Sequence, residues 1–111
     1  MTEYQSIKPA VLTGLSASMP EIRERFGIES LGLFGSVSRG EDTPASDIDI
    51  LYRFSHPETV DIDTVYHLAQ YLQSLFGREV ELVSMDYIDP YIADFVKEDA
   101  IVFDKSSAEI P

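Results

Sequence analysis

At 111 residues the chain has room for a single domain, because domains cluster near about 100–150 residues, and about two-thirds of its surface can be buried at this size. Its 44% apolar and 11% aromatic residues exclude general disorder, and the absence of cysteine excludes a disulfide framework and a thiolate zinc site. Twenty Asp and Glu against eight Lys and Arg give a formal charge of −12, which repels phosphate backbones and excludes direct, unaided binding of nucleic acid.

No apolar stretch approaches the ~20 residues of a membrane helix, and no N-terminal run resembles a signal peptide, so the expectation is a cytoplasmic protein without membrane contact. In residues 5–18, Ile7, Val11, Leu12 and Leu15 lie at helical spacing, with Pro9 and Gly14 weakening the pattern. Ser18 reads as the N-cap of a second, short helix that starts near Pro20, carries Ile22 and Phe26, and stops at Gly27. Ile28 to Phe34 predicts a buried strand running into a tight turn at Gly35-Ser36. A polar segment from Arg39 to Ser46 leads to a second strand, Asp47 to Phe54, with Ile48, Ile50, Tyr52 and Phe54 at period 2. After a loop at His56 to Thr59, Val65, Leu68, Ala69, Leu72, Leu75 and Phe76 mark one face of a helix ending at Gly77. Glu79 to Val83 alternates as a third strand, Asp89-Pro90 opens a last helix to about Glu98, and Ala100 to Phe103 forms a short final strand.

These elements predict an α+β (mixed α/β) fold with one three- or four-stranded sheet packed by helices. The first two strands are joined by too few residues for a full crossover helix, so they should be antiparallel and the sheet mixed. The domain is expected to cover residues 1–105, with 106–111 as a flexible tail.

In a strand, Asp47 and Asp49 project together while Ile48 and Ile50 enter the core. Two neighbouring carboxylates repel, and a hard divalent cation such as Mg²⁺ or Mn²⁺ resolves that repulsion while holding water and substrate phosphate. An isolated pair of this kind is more often a solvated strand face. Here Gly35, without a side chain, and Ser36, with a hydroxyl and free backbone N–H groups, stand at a strand end suited to a phosphate.

The two features form one pattern: Gly35-Ser36, ten residues, then Asp47-Ile48-Asp49. With Leu31-Gly32-Leu33-Phe34 before it and Ile50-Leu51 after it, this run resembles the minimal nucleotidyltransferases of the DNA polymerase β-like superfamily. Ser38 departs from the alanine usual at that place. The resemblance implies the nucleotidyltransferase fold, with Asp47 and Asp49 binding the metals that bridge the triphosphate and Glu81 as the third carboxylate. It implies transfer of NMP, by preference AMP from ATP, to a hydroxyl with release of pyrophosphate. It also implies a partner that completes the acceptor site: stand-alone relatives accompany a HEPN-type RNase toxin and act as its antitoxin, in some cases by adenylylating a toxin tyrosine. A hetero-oligomer follows from that implication, and an acidic surface suits a basic RNA-binding partner.

Arg39 is a further phosphate candidate, since its planar fork suits bidentate recognition, although a solvated loop arginine has the same sequence signature. His56 and His67 lack metal-ligand spacing, Tyr66, Tyr71 and Phe76 read as core or boundary residues, and no GxxxxGK[ST] motif occurs. The competing reading is a non-catalytic module that neutralises its partner by occlusion. Transfer to a small molecule, as by aminoglycoside nucleotidyltransferases, is disfavoured because their acceptor-binding domain has no counterpart here.

Overall fold

The computed structural model describes residues 3–103 and begins with one long helix, α1 (Lys8–Phe26), where the sequence predicts two. Val11, Leu15, Met19, Ile22 and Phe26 recur every three or four residues and are all buried, so one apolar stripe runs uninterrupted past Pro20. Each such side chain contributes ~1.5–3 kcal/mol on burial, and together they outweigh the ~3 kcal/mol cost of an internal proline. Gly27 ends the helix in the left-handed region at φ 70°, its N–H donating to the Arg23 carbonyl at 2.9 Å.

The chain then forms β1 (Ile28–Phe34), the single-turn helix α2 (Gly35–Ser38) and β2 (Ile48–Phe54). A short 3₁₀ turn (Pro57–Thr59) precedes α3 (Ile62–Phe76), β3 (Val80–Ser84), α4 (Pro90–Asp99) and β4 (Ile101–Phe103). Asp61 caps α3 by accepting the Thr64 N–H at 3.2 Å, and Gly77 closes it in the left-handed region. Asp89 caps α4 as expected, accepting the Tyr91 N–H at 2.8 Å.

The strand order is β3-β2-β1-β4. β1 runs antiparallel to β2 and β4, whereas β2 and β3 are parallel, so the expected mixed sheet forms with four strands. The parallel pair needs a crossover, which α3 provides, whereas the connection from β1 to β2 holds only the single-turn helix α2 and joins an antiparallel pair.

The sheet has two unlike faces. Leu31, Leu33, Ile48 and Ile50 point toward α1 and toward Leu68 and Leu72 of α3, making the principal core. Gly14, which weakens the helix pattern in sequence, lies where α3 approaches: a Cβ there would come within 2.7 Å of Phe76 Cε1. Tyr71 meets Phe26 edge-on at 5.5 Å, but Tyr66, expected in the core or at its boundary, is exposed. Its place on α3 faces away from the sheet, so helical spacing alone overstated the width of the apolar stripe. Register puts Asp49 between Phe34 and Glu81, and Leu51 between Gly32 and Val83, on the opposite sheet face. There α4 contributes Val96 to an apolar cavity of about 270 Å³ shared with Leu51, Met85 and Val102.

Among the described residues no helix is long and apolar enough to cross a membrane. The tail expected at 106–111 lies outside the described residues.

Candidate active site

The end of β1 brings the glycine–serine pair beside the start of β2, because Phe34 pairs with Asp49 across the antiparallel ladder. The expected tight turn at Gly35-Ser36 is the first turn of α2, entered through Gly35 at φ 77°. Only glycine takes this conformation without strain. It is also required sterically: a Cβ at position 35 would lie 2.2 Å from Asp49 Oδ2 and 3.1 Å from its Cγ. The space beside Gly35, expected from the sequence to admit a phosphate, is thus occupied first by the Asp49 carboxylate. Ser38, buried, donates its hydroxyl to the Gly35 carbonyl at 2.8 Å and stabilises this turn. Ser36 is less buried, and its backbone carbonyl accepts the Glu41 N–H at 2.9 Å.

Asp49 has Glu81 as its partner across the parallel ladder. Its carboxyl is pushed up to about 6, first by burial, then by the hydrogen bond and negative charge of Glu81 and the charge of Asp47, with Arg39 acting in the opposite direction. Asp47 is exposed and precedes the strand, which starts at Ile48, whereas the period-2 pattern placed it inside. The reason is local: the Ile48 N–H is the first to join β3, donating to the Glu79 carbonyl at 2.9 Å. Glu81 is exposed on β3. The three acids are neighbours but not a closed cage: among the described residues no three His, Cys, Asp or Glu side chains are grouped to enclose a metal ion.

Arg39 follows α2 and is paired with two other carboxylates. Its Nε donates to Glu41 at 2.6 Å and its Nη1 to Asp99, at the end of α4, at 2.5 Å. The hydrogen bonds it donates to Glu41 and Asp99 raise the guanidinium above its ordinary value. The site is therefore framed by an ion pair between α2 and the last residue of α4, a partnership 60 positions apart for which the sequence carries no signal.

Two other residues that sequence reasoning missed hold the connection between α2 and β2. Buried Asp42 accepts from the Tyr4 hydroxyl at 2.6 Å, from the Ser6 hydroxyl, and from the Ile7 N–H at 3.1 Å, thereby capping α1 from a distance. Burial alone would raise its carboxyl, but hydrogen bonds from Ser6, Tyr4, Ile7 and its own backbone prevail and bring it down to about 2. Arg78 donates to the Tyr4 hydroxyl and to the backbone carbonyls of Thr43 and Ser46. Both residues look like ordinary surface charges in the sequence.

An acid pair beside a glycine-entered helix is the arrangement that the sequence motif implied, and residues 17–103 match the nucleotidyltransferase domain family. The chain belongs to this family. It is a minimal nucleotidyltransferase related to the MntA proteins. It is 38% identical over 87 residues to the protein adenylyltransferase MntA of Thermococcus cleftensis, a span covering 78% of this chain and 86% of that protein. A Methanocaldococcus jannaschii protein provisionally named a protein adenylyltransferase is 41% identical over 81 residues, 72% of this chain and 81% of its own length. The structure superposes on that of a provisionally assigned minimal nucleotidyltransferase with a TM-score of 0.69 at 29% identity, covering 83% of this chain and 92% of the other. Two further structures share the fold. One is a toxin–antitoxin with AMP-PNP, at TM-score 0.64 and 23% identity over 86% of this chain and 78% of that one. The other contains a tri-AMPylated Shewanella oneidensis HEPN toxin in complex with an MNT antitoxin, at TM-score 0.58 and 21% identity over 83% and 70% of the two chains.

Proposed function

We propose that this protein transfers AMP from ATP to a hydroxyl of a HEPN-type RNase toxin, and is thereby the antitoxin of a toxin–antitoxin pair. The observation that carries this reading is the contact between Gly35 and Asp49: α2 begins against the carboxylate, and Glu81 faces that carboxylate from the next strand. The relatives named protein adenylyltransferase and the shared fold of the toxin complexes support the choice of nucleotide and partner.

The acids suit Mg²⁺ or Mn²⁺ in donor chemistry, since they are hard oxygen ligands whose mutual repulsion already helps lift Asp49 to about 6. Asp47 and Asp49 would hold the cation, with Glu81 on the acceptor side; a cation so bound neutralises charge on the triphosphate. Ser36, with Gly35 holding the turn against Asp49, meets the phosphates at the opening of α2, and Arg39, paired here with Glu41 and Asp99, is a further phosphate ligand. In the transfer, the acceptor oxygen bonds to the α-phosphorus as the bond to the bridging oxygen breaks, and pyrophosphate leaves with that electron pair. Glu81 takes the acceptor's proton, or would hold a cation on the acceptor side while water takes that proton. The −12 chain brings a basic toxin to this site by long-range attraction.

The test is dose and persistence. Substoichiometric protein with ATP and Mg²⁺ should silence the toxin progressively, and the toxin should stay silent and carry the mass of AMP after separation. An occluding binder would need roughly equal amounts, ignore ATP, and release active toxin on dilution. Protection by the Asp47→Asn, Asp49→Asn protein equal to wild type at low dose, with no AMP on the toxin, overturns the catalytic reading.

A further inference from the structure

We propose that Arg78 is a positioning residue that fixes Asp47 for cation binding; this rests on the reading of Asp47 as a ligand given above. Asp47 is exposed and lies outside the strand, so neither burial nor its own place in a ladder holds it. Its two chain neighbours do. On one side the Ser46 carbonyl accepts from Arg78 Nη1 at 3.4 Å, and on the other the Ile48 N–H donates to the Glu79 carbonyl at 2.9 Å. Two consecutive residues at the entrance to β3 thus grip the backbone on both sides of Asp47.

The grip extends to the whole turn before it. Thr43 to Ser46 is closed by Ser46 N–H to the Thr43 carbonyl at 3.0 Å and Thr43 N–H to Ser46 Oγ at 2.8 Å, with Pro44 at the second turn position, where its fixed φ is preorganised. Arg78 Nη1 also donates to the Thr43 carbonyl at 3.0 Å, so one guanidinium holds both ends of the turn. The guanidinium is itself anchored: it donates to the Tyr4 hydroxyl at 3.2 Å and lies 5.9 Å from the centre of that ring, while the Tyr4 hydroxyl donates to buried Asp42. Arg78 follows Gly77, the left-handed end of α3, and stands three residues before Glu81. It therefore ties the segment carrying Asp47 to the strand carrying Glu81, and sets the separation of the two acids. Partners that orient ligands in this way typically matter ~10–100-fold in metal affinity.

Mn²⁺ binding in the presence of ATP, measured by calorimetry on the full chain, tests the assignment with Arg78→Ala, Arg78→Lys, Asp47→Asn and the Arg78→Ala, Asp47→Asn double variant. Arg78→Ala should weaken Mn²⁺ at least ~10-fold. Arg78→Lys, which keeps the charge but loses the fork, should fall between it and wild type. In the Asp47→Asn background, Arg78→Ala should have no further effect, because a residue acting through Asp47 has nothing left to position. Affinity within twofold of wild type in Arg78→Ala, or an undiminished loss in the Asp47→Asn background, overturns the inference and returns Arg78 to fold maintenance. Should Arg78→Ala not fold, Arg78→Lys decides alone: wild-type affinity overturns the inference, and an intermediate value supports it. Wild type without Mn²⁺-dependent ATP binding overturns the reading of the site, and this inference with it.

Discussion

A single methyl group added at Gly35 separates the steric role of this glycine from its conformational one. The new Cβ would stand 2.2 Å from Asp49 Oδ2, and ordinary contact begins at 3.4 Å, so the carboxylate must retreat by ~1 Å. Asp49 has a short side chain on a strand paired on both sides, and rotation about its side-chain bonds is the available escape. Alanine at φ 77° also costs ~1–2 kcal/mol of backbone strain. Gly40 provides the control, since it has φ 71° and a methyl group added there would meet nothing within 4 Å. Gly40→Ala should lose ~1–2 kcal/mol in urea denaturation, and Gly35→Ala more than that, because the displacement of Asp49 adds to the same backbone strain. Only Gly35→Ala should slow AMP transfer, by ~10²-fold, the usual consequence of a 1 Å displacement at a reacting centre. Transfer is read at saturating ATP and Mg²⁺ by the mass of the acceptor. Equal transfer rates in the two folded variants would refute the link between Gly35 and Asp49.

Two further predictions concern acidity. The Asp49 carboxyl is raised to about 6, so the metal-free protein gains stability as pH falls from above 6 toward 4; at pH 8 Asp49→Asn should be more stable than wild type by ~1–2 kcal/mol after allowance for solvent screening, and thermal midpoints that do not differ between the two would contradict this. Asp42 is lowered to about 2, so its contribution is complete above about 4 and disappears as pH falls through 2; Asp42→Asn should cost ~2 kcal/mol at pH 7, with a gap to wild type that narrows in urea titrations at progressively lower pH, and a constant gap would count against the charged cap.

Most of the fold was legible in the sequence because it depends on local repetition. A short apolar run before Gly35 marked β1, alternation marked β2, Gly77 and Asp89 marked helix ends, and the spacing of Gly35-Ser36 to Asp47-Ile48-Asp49 marked the family pattern. The continuity of α1 was decided elsewhere: proline is a local signal for a break, but the stripe from Val11 to Phe26 gains its energy only when the sheet and α3 cover it. Likewise the demand for glycine at position 35 arises from Asp49, fourteen residues later, and the orientation of Arg39 from Asp99, sixty residues later. The grip of Arg78 on Thr43 and Ser46 has the same origin. Periodicity reports which side of an element is apolar, whereas hydrogen bonds and steric contacts between distant segments exist only after strand pairing has brought those segments within a few ångströms of one another.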